Sequence, residues 1–292
     1  MKQKKFSPVL KNVGIIYRRR SSGAQNETKK LITWLQDRSI RVFIADSKVS
    51  NAKTKALTSS NLSNLDLIIV LGGDGTYLYA VSLVQEKNIP ILGINWGSLG
   101  FLTETPAESM YSILEMALMA RLQYQSRCLL KVHVKRKNRK PTSYLALNDI
   151  VFERGPYSRL ISLMLYTNDQ FVTDSKADGM IISTPTGSTA YNLAAGGPIV
   201  HPDTKAFIIT PICPHSLTQR PLVVPESHTI CVKIQKPTQK ANFMVDGQKM
   251  ETLSPNDEVV IEMAKVRHTL ASSPQYSYYD LLRKKLQFGK RI

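Results

Sequence analysis

The chain has 292 residues, 42% of them hydrophobic, and a formal net charge of +17. That length buries a real core, with about two domains as the prior, while no apolar run approaches the ~20 residues of a membrane span and the basic N-terminus lacks the long apolar stretch and cleavage site of a signal peptide. The three cysteines, Cys128, Cys213 and Cys231, are scattered with no CxxC pair, which argues against a disulfide framework or a zinc cluster and fits a reducing cytoplasm.

Strand and helix patterns alternate through residues 1–126. Val13–Tyr17 and Val42–Ala45 read as strands, and Glu27–Arg38 between them carries Leu31, Ile32, Trp34 and Leu35 at helical spacing. The polar stretch Ser47–Ser63 reads as a loop. Leu67–Leu71 is a buried-strand candidate, Tyr77–Gln85 a helix and Ile91–Ile94 a further strand. Thr105-Pro106-Ala107-Glu108 then predicts a capping box, with Thr105 as the cap and Pro106 in the first turn of a helix that continues over Met110–Leu122. Such alternation implies an α/β domain with a Rossmann-like parallel sheet.

Residues 127–267 read as mostly β. Leu129–Val134, Ser143–Phe152, Leu160–Tyr166 and Gln170–Thr173 are strand-like, the last two joined by a turn at Thr167-Asn168-Asp169. Ala206–Thr210, Leu222–Val224, Thr229–Gln235, Asn242–Val245 and Glu258–Ile261 follow, with a helical pattern only near Thr189–Ala195. The basic KRKNRKP segment at 135–141 reads as a hairpin turn. Residues 268–292 form a tail whose Tyr278–Phe288 is a short basic amphipathic helix, expected to pack back on the first domain.

Two segments carry chemistry. The strand Leu67–Leu71 runs into Gly72-Gly73-Asp74-Gly75-Thr76. Glycines let a backbone turn sharply and approach a ligand, and phosphate binds where a glycine-rich turn feeds a helix N-terminus. A carboxylate there is electrostatically awkward unless it contacts a metal or abstracts a proton, which points to phosphoryl transfer. Neither GxxxxGK[ST] nor GxGxxG spacing is present. The second segment is DGMIISTPTGSTAYNLAAGGPIVHPD, residues 178–203: a strand, a hydroxyl-rich loop, small residues and a Gly-Gly-Pro stop. Its hydroxyls and N–H groups suit ribose, phosphate or amide.

GGDGT followed by TPTGSTAYNLAAGGPIVHPD, with Asn148-Asp149 between them, resembles the NAD kinase family, collinearly from about Val13 to Asp246. The resemblance implies an enzyme that phosphorylates the adenosine 2′-hydroxyl of NAD with ATP or polyphosphate. Asp74 is then the general base, and Gly72, Gly73, Gly75 and Thr76 lie against the phosphates. A divalent metal, Mg²⁺, is implied on phosphate oxygens and water, with no protein ligand assigned.

Asn148 and Asp149 are implied to bond ribose or adenine, Asp149 standing where the family has Glu or Asp. The same resemblance sets Arg159 and Lys176 near the ligand, Asp178 at the nicotinamide end, and Thr189, Ala190, Tyr191, Asn192, Leu193 and Ala194 along the dinucleotide, with Gln248 as a further contact. Taken from the residues alone, Asp246-Gly247 is a hairpin turn, and Arg159 and Lys176 are equally surface charges. Phe101 walls the adenine pocket or belongs to the core. A cytoplasmic homodimer or homotetramer is implied, acting on NAD and ATP without nucleic acid or membrane.

Two rivals bear on the same residues. A lipid kinase also carries GGDGT, but the TPTGSTAY segment argues against it. A basic nucleic-acid-binding module would use the positive charge, yet clusters such as Arg18-Arg19-Arg20 lack interleaved aromatics.

Overall fold

The computed structural model describes residues 10–136, 140–155, 160–235, 241–255, 257–275 and 277–289. The chain forms two compact units, one of residues 1–126 with 268–292 and the other of residues 127–267.

The first unit is built on β1 (Asn12–Tyr17), α1 (Ser22–Gln36), β2 (Arg41–Ile44), β3 (Lys55–Ala56), β4 (Leu67–Gly72), α2 (Asp74–Val84) and β5 (Ile91–Asn95). These strands lie in the order β3-β2-β1-β4-β5, every pairing parallel. All six residues of β4 are buried, as expected of a central strand covered on both faces. Helix α1 starts earlier than its apolar spacing predicts, because the Ser21 side chain accepts from the Ala24 N–H and caps it. It buries Ala24, Thr28, Leu31, Ile32 and Leu35, one helical face.

Strand order reverses between β1 and β4: β1 leads through α1 to β2 on one side, and the chain returns to place β4 on the other. Ligands of open α/β sheets collect at the carboxyl ends of strands at such a reversal. That edge holds Arg18, whose N–H donates to Leu71 O at 2.9 Å, the Gly72-Gly73 turn, and Trp96 at the end of β5, whose N–H donates to Gly72 O at 3.0 Å.

The sheet also recruits His268–Ser272, between β5 and Gln123–Arg127. The Tyr77 hydroxyl and His268 Nε2 meet at 2.8 Å in the core, tying α2 to that strand. The helix Tyr278–Leu286 then packs on this unit through buried Leu281 and Leu282, with Ser277 and Asp280 forming a capping box.

The capping box predicted at Thr105 does not form. Thr105–Pro106 instead adds a short parallel pairing to the end of β5, a 3₁₀ turn at Ala107–Ser109 follows, and the α-helix begins at Met110. Sheet pairing outcompetes the local cap, and Thr105 Oγ1 is left buried without a partner.

The second unit contains two six-stranded sheets, antiparallel in every described pairing. One runs in space through Leu222–Pro225, Ala206–Ile212, Gly179–Ser183, Asp149–Arg154, Ala241–Val245 and Lys249–Leu253. The other runs through Gln170–Ala177, Ile161–Thr167, Ile230–Ile234, Glu258–Met263, Leu130–Lys135 and Thr142–Ala146. Alternate residues of both sheets share one core that includes Phe152, Phe207 and Phe243. The strand predicted over Ser143–Phe152 is two strands in different sheets, broken at Leu147-Asn148. Asn168 and Asp169 take positive φ at the predicted turn. The predicted 135–141 turn falls partly outside the described residues.

Candidate active site

Asp74 stands in the first turn of α2, directly after the N-cap Gly73. The helix therefore starts three residues before the predicted Tyr77. A carboxylate is favoured there by the helix dipole, and the next loop fixes it. Oδ2 accepts from the Phe101 N–H at 2.9 Å; Oδ1 accepts from the Leu102 and Thr103 N–H groups and from Thr103 Oγ1, each at 3.1 Å. Lys285 Nζ, from the last helix, lies 3.5 Å from Oδ2 and 4.5 Å from the centre of the Phe101 ring. Phe101 also meets Tyr278, ring centres 6.5 Å apart.

The glycines around this carboxylate divide into two kinds. At Gly100 a Cβ would sit 2.0 Å from Asp74 Oδ1, and at Gly72 it would sit 2.4 Å from Thr76 Oγ1. These two are required by packing. At Gly73 and Gly75 a Cβ would meet nothing within 4 Å, so the backbone on that side is open to a ligand. The Arg18 guanidinium lies on the same strand-end edge, 3.9 Å from where a Gly97 Cβ would be.

In the second unit the chain breaks at Leu147-Asn148 because Asp246 reaches back to it. Asp246 Oδ2 accepts from Leu147 N–H at 2.8 Å, and Oδ1 accepts from the N–H groups of Asn148 at 2.8 Å and Asp149 at 3.1 Å. Burial pushes the Asp246 carboxyl up to about 6, against the pull of these three donors. Its own turn has φ of 49° at Asp246 and 63° at Gly247, the left-handed pair of a tight hairpin.

The break exposes two functional groups to one another's surroundings. Neither the Asn148 amide nor the Asp149 carboxylate hydrogen-bonds through its side chain to a described residue, although their residues are only 8% and 5% exposed. Burial, then the charge of Asp246, pushes the Asp149 carboxyl up to about 7. Polar groups this nearly buried, with no bond to a described side chain or backbone group, need water or a ligand to complete them.

The hydroxyl-rich loop wraps the same break. Thr184 N–H donates to Asn148 O at 2.8 Å, Ser183 Oγ donates to the same oxygen at 3.1 Å, and Thr184 Oγ1 donates to Leu147 O at 2.6 Å. Gly187 is compulsory, since a Cβ there would lie 2.1 Å from Asn148 O. Ser188 Oγ bonds Val200 on both its N–H and its carbonyl sides. Most of the loop's hydroxyls thus hold its own backbone. Thr186 Oγ1 is the exception, buried and without a partner.

Thr189, Ala190, Leu193 and Ala194 are half-buried or exposed on the short helical turn that follows. Asn192 is fully buried: its Nδ2 donates to Ser188 O and Pro198 O, and its Oδ1 accepts from Thr210. Its side chain shapes the turn rather than facing outward. Tyr191 is 42% exposed; burial of part of its ring, then the charge of Glu153, raises its phenol, with Asp149 and Asp178 contributing in the same direction. Tyr191, Asp149 and Asp178 therefore share one electrostatic neighbourhood. Asp178 accepts from Arg154 Nε at 2.7 Å. Lys176 is exposed, Gln248 lies in the Asp246-Gly247 turn, and Arg159 is outside the described residues.

The sequence reads Asp246-Gly247 as a hairpin turn, which the structure forms, and Arg18 and Lys285 as members of basic surface clusters; the contacts of Asp246 with residues 147–149 and of Lys285 with Asp74 join segments far apart in the chain and have no local signal. Among the described residues no group of three or more His, Cys, Asp or Glu side chains could hold a metal ion, and no helix is long and apolar enough to cross a membrane.

Comparison with known proteins covers both units. Residues 13–121 match the family model of the ATP-NAD kinase N-terminal domain, and residues 147–272 that of the ATP-NAD kinase C-terminal domain. The chain is 44% identical over 281 residues to an NAD kinase of Bdellovibrio bacteriovorus, covering 96% of this chain and 93% of that one. It is 40% identical to an NAD kinase of Solibacter usitatus, over 97% and 100% of the two chains. Among solved structures, yeast NADH kinase complexed with NADH superposes with a TM-score of 0.90 at 28% identity, covering 97% of this chain and 89% of that one. An NAD kinase from Archaeoglobus fulgidus in complex with ATP gives 0.76 at 27% identity, over 95% and 100%.

Proposed function

The chain belongs to the ATP-NAD kinase family and is an NAD kinase, and we propose that Asp74 is its general base, taking the proton of the adenosine 2′-hydroxyl as that oxygen attacks the terminal phosphorus of ATP. The products are NADP and ADP. The observation that carries this reading is the setting of the Asp74 carboxylate: fixed by the N–H groups of 101–103, at the strand reversal, beside open backbone at Gly73 and Gly75. ATP as donor is supported by the likeness to the Archaeoglobus kinase crystallised with ATP.

Phosphoryl transfer passes through a loose transition state, so positioning and charge stabilisation dominate over base strength. The first turn of α2 offers its dipole to the phosphates. Asn148 and Asp149 bind the dinucleotide through side-chain groups that bond no described residue, and Thr186 adds a hydroxyl. Tyr191 and Asp178, in the same neighbourhood, take the remainder of the dinucleotide, with Thr189, Ala190, Leu193 and Ala194 along its path. Lys176 and Gln248 are peripheral contacts in this reading.

A divalent cation such as Mg²⁺ would be held by phosphate oxygens and water and would offset charge on the triphosphate, with no protein ligand assigned to it. A cytoplasmic location is supported by three cysteines free of disulfides. A homodimer or homotetramer is carried over in this reading from the family resemblance alone.

The test is direct. Purified protein with NAD, ATP and Mg²⁺ forms NADP, read through an NADP-specific dehydrogenase. Asp74→Asn lowers turnover by about 10²–10⁴-fold with NAD binding retained; full turnover in that variant refutes the assignment.

A further inference from the structure

Asp74 carries more partners than a free base can. A carboxylate has about four lone-pair positions. Oδ1 accepts from two N–H groups and one hydroxyl, and Oδ2 accepts from Phe101 N–H with Lys285 Nζ on its remaining side. The three N–H donors are backbone and part of the fold: two fill Oδ1, where the Thr103 hydroxyl also bonds, and one occupies Oδ2. The position a substrate hydroxyl must use is therefore the one that Lys285 covers.

That contact is not what holds the last helix in place. It is long at 3.5 Å, and both side chains are about a third exposed, 31% for Lys285 and 29% for Asp74. Ion pairs of this kind add little stability. The helix is held by buried Leu281 and Leu282 and by its capping box. The ammonium is thus cheap to release, while the Phe101 ring, 4.5 Å from Nζ, keeps it at the site. Positions 278–286 lie beyond both family-matched segments.

We propose that Lys285 covers the base in the empty enzyme and moves to an oxygen of the terminal phosphate when ATP binds, so that Asp74 is uncovered only with a donor present. This rests on the kinase reading above. The bond between the 2′-oxygen and the γ-phosphorus forms as the bond from that phosphorus to the β,γ-bridging oxygen breaks. The 2′-hydroxyl proton passes to Asp74, and the ammonium keeps its three protons while offsetting phosphate charge. Donor binding and base exposure are coupled by one side chain.

The test compares the native chain with Lys285→Met and Lys285→Arg, using ADP and a β,γ-methylene ATP analogue as calorimetric probes with Mg²⁺, alongside turnover. A charge-assisted hydrogen bond to the terminal phosphate predicts that the native chain prefers the analogue by about tenfold or more. Lys285→Met loses that preference while its ADP affinity and melting temperature stay native, and its kcat falls about 10–100-fold; Lys285→Arg recovers part of both. A merely structural lysine would shift both nucleotides equally. Lys285→Met that keeps the analogue preference and native kcat, in a native chain that forms NADP, overturns the role of Lys285 alone. A native chain that forms no NADP overturns the kinase reading and this proposal with it.

Discussion

Gly100→Ala tests whether Asp74 works because of where the 100–103 loop holds it. The substitution adds one methyl group, which would lie 2.0 Å from Asp74 Oδ1 and 2.3 Å from Thr103 Oγ1. Ordinary contact needs roughly 3.4 Å, so the carboxylate or the loop must yield by about 1.4 Å, a displacement of the size that costs a catalyst about 10²-fold. The expected outcome is a kcat reduced about 100-fold, equivalent to about 2.7 kcal/mol of barrier. NAD affinity stays within a factor of three, because Asn148 and Asp149 belong to the other folding unit. Steady-state turnover and equilibrium binding of NAD separate the two. Gly75→Ala is the companion: its methyl meets nothing within 4 Å outside its own helical turn, so it leaves thermal stability at or slightly above native and raises the KM for ATP by closing the open side. A Gly100→Ala enzyme that turns over within threefold of native would refute the argument that the loop positions the base.

Asp149 gives a pH signature in two readouts. Its native carboxyl is pushed up to about 7, so the native state holds a proton that the unfolded chain releases near 4. Stability is therefore greatest below the ordinary carboxylate range and falls as pH rises to about 7, by up to about 4 kcal/mol. Asp149→Asn reduces this slope in thermal melts from pH 4 to 8 and removes it between pH 6 and 8, leaving the part below about 6 that the raised Asp246 carboxyl contributes. NAD binding runs the other way if the ionised carboxylate accepts from ribose: affinity weakens by up to about tenfold per unit below pH 7, and a flat profile in the native protein would contradict it. Asn148→Ala raises the KM for NAD about tenfold, the worth of one buried hydrogen-bonding pair. Asp246→Ala raises the Kd for NAD at least as much, since it leaves three N–H groups of residues 147–149 without their acceptor, and leaves ADP affinity native; calorimetry with both ligands checks this.

The two motifs were legible because each depends on its own few residues. Gly-Gly-Asp-Gly after an apolar strand specifies a sharp turn and a helix start, and the structure delivers both. The roles of the surrounding residues were less legible. The hydroxyls of Thr184 and Ser188 read as ligand groups but hold their own loop, because a buried loop must satisfy its backbone first. The strand over 143–152 reads as continuous since its apolar alternation continues through Leu147. The break comes from Asp246, 99 residues away. Thr105 looked like a helix cap until the end of β5 claimed it for pairing. In each case a long-range contact outweighed a local preference, and no local pattern encodes such a contact.

The first unit is written in two pieces, with His268–Ser272 seated inside its sheet between β5 and Gln123–Arg127. During synthesis the N-terminal part of this unit therefore emerges early yet lacks an interior strand until more than 140 further residues have been translated. Its hydrophobic edge must wait uncovered on the ribosome, so a truncation before residue 268 leaves an aggregation-prone fragment rather than a smaller working domain.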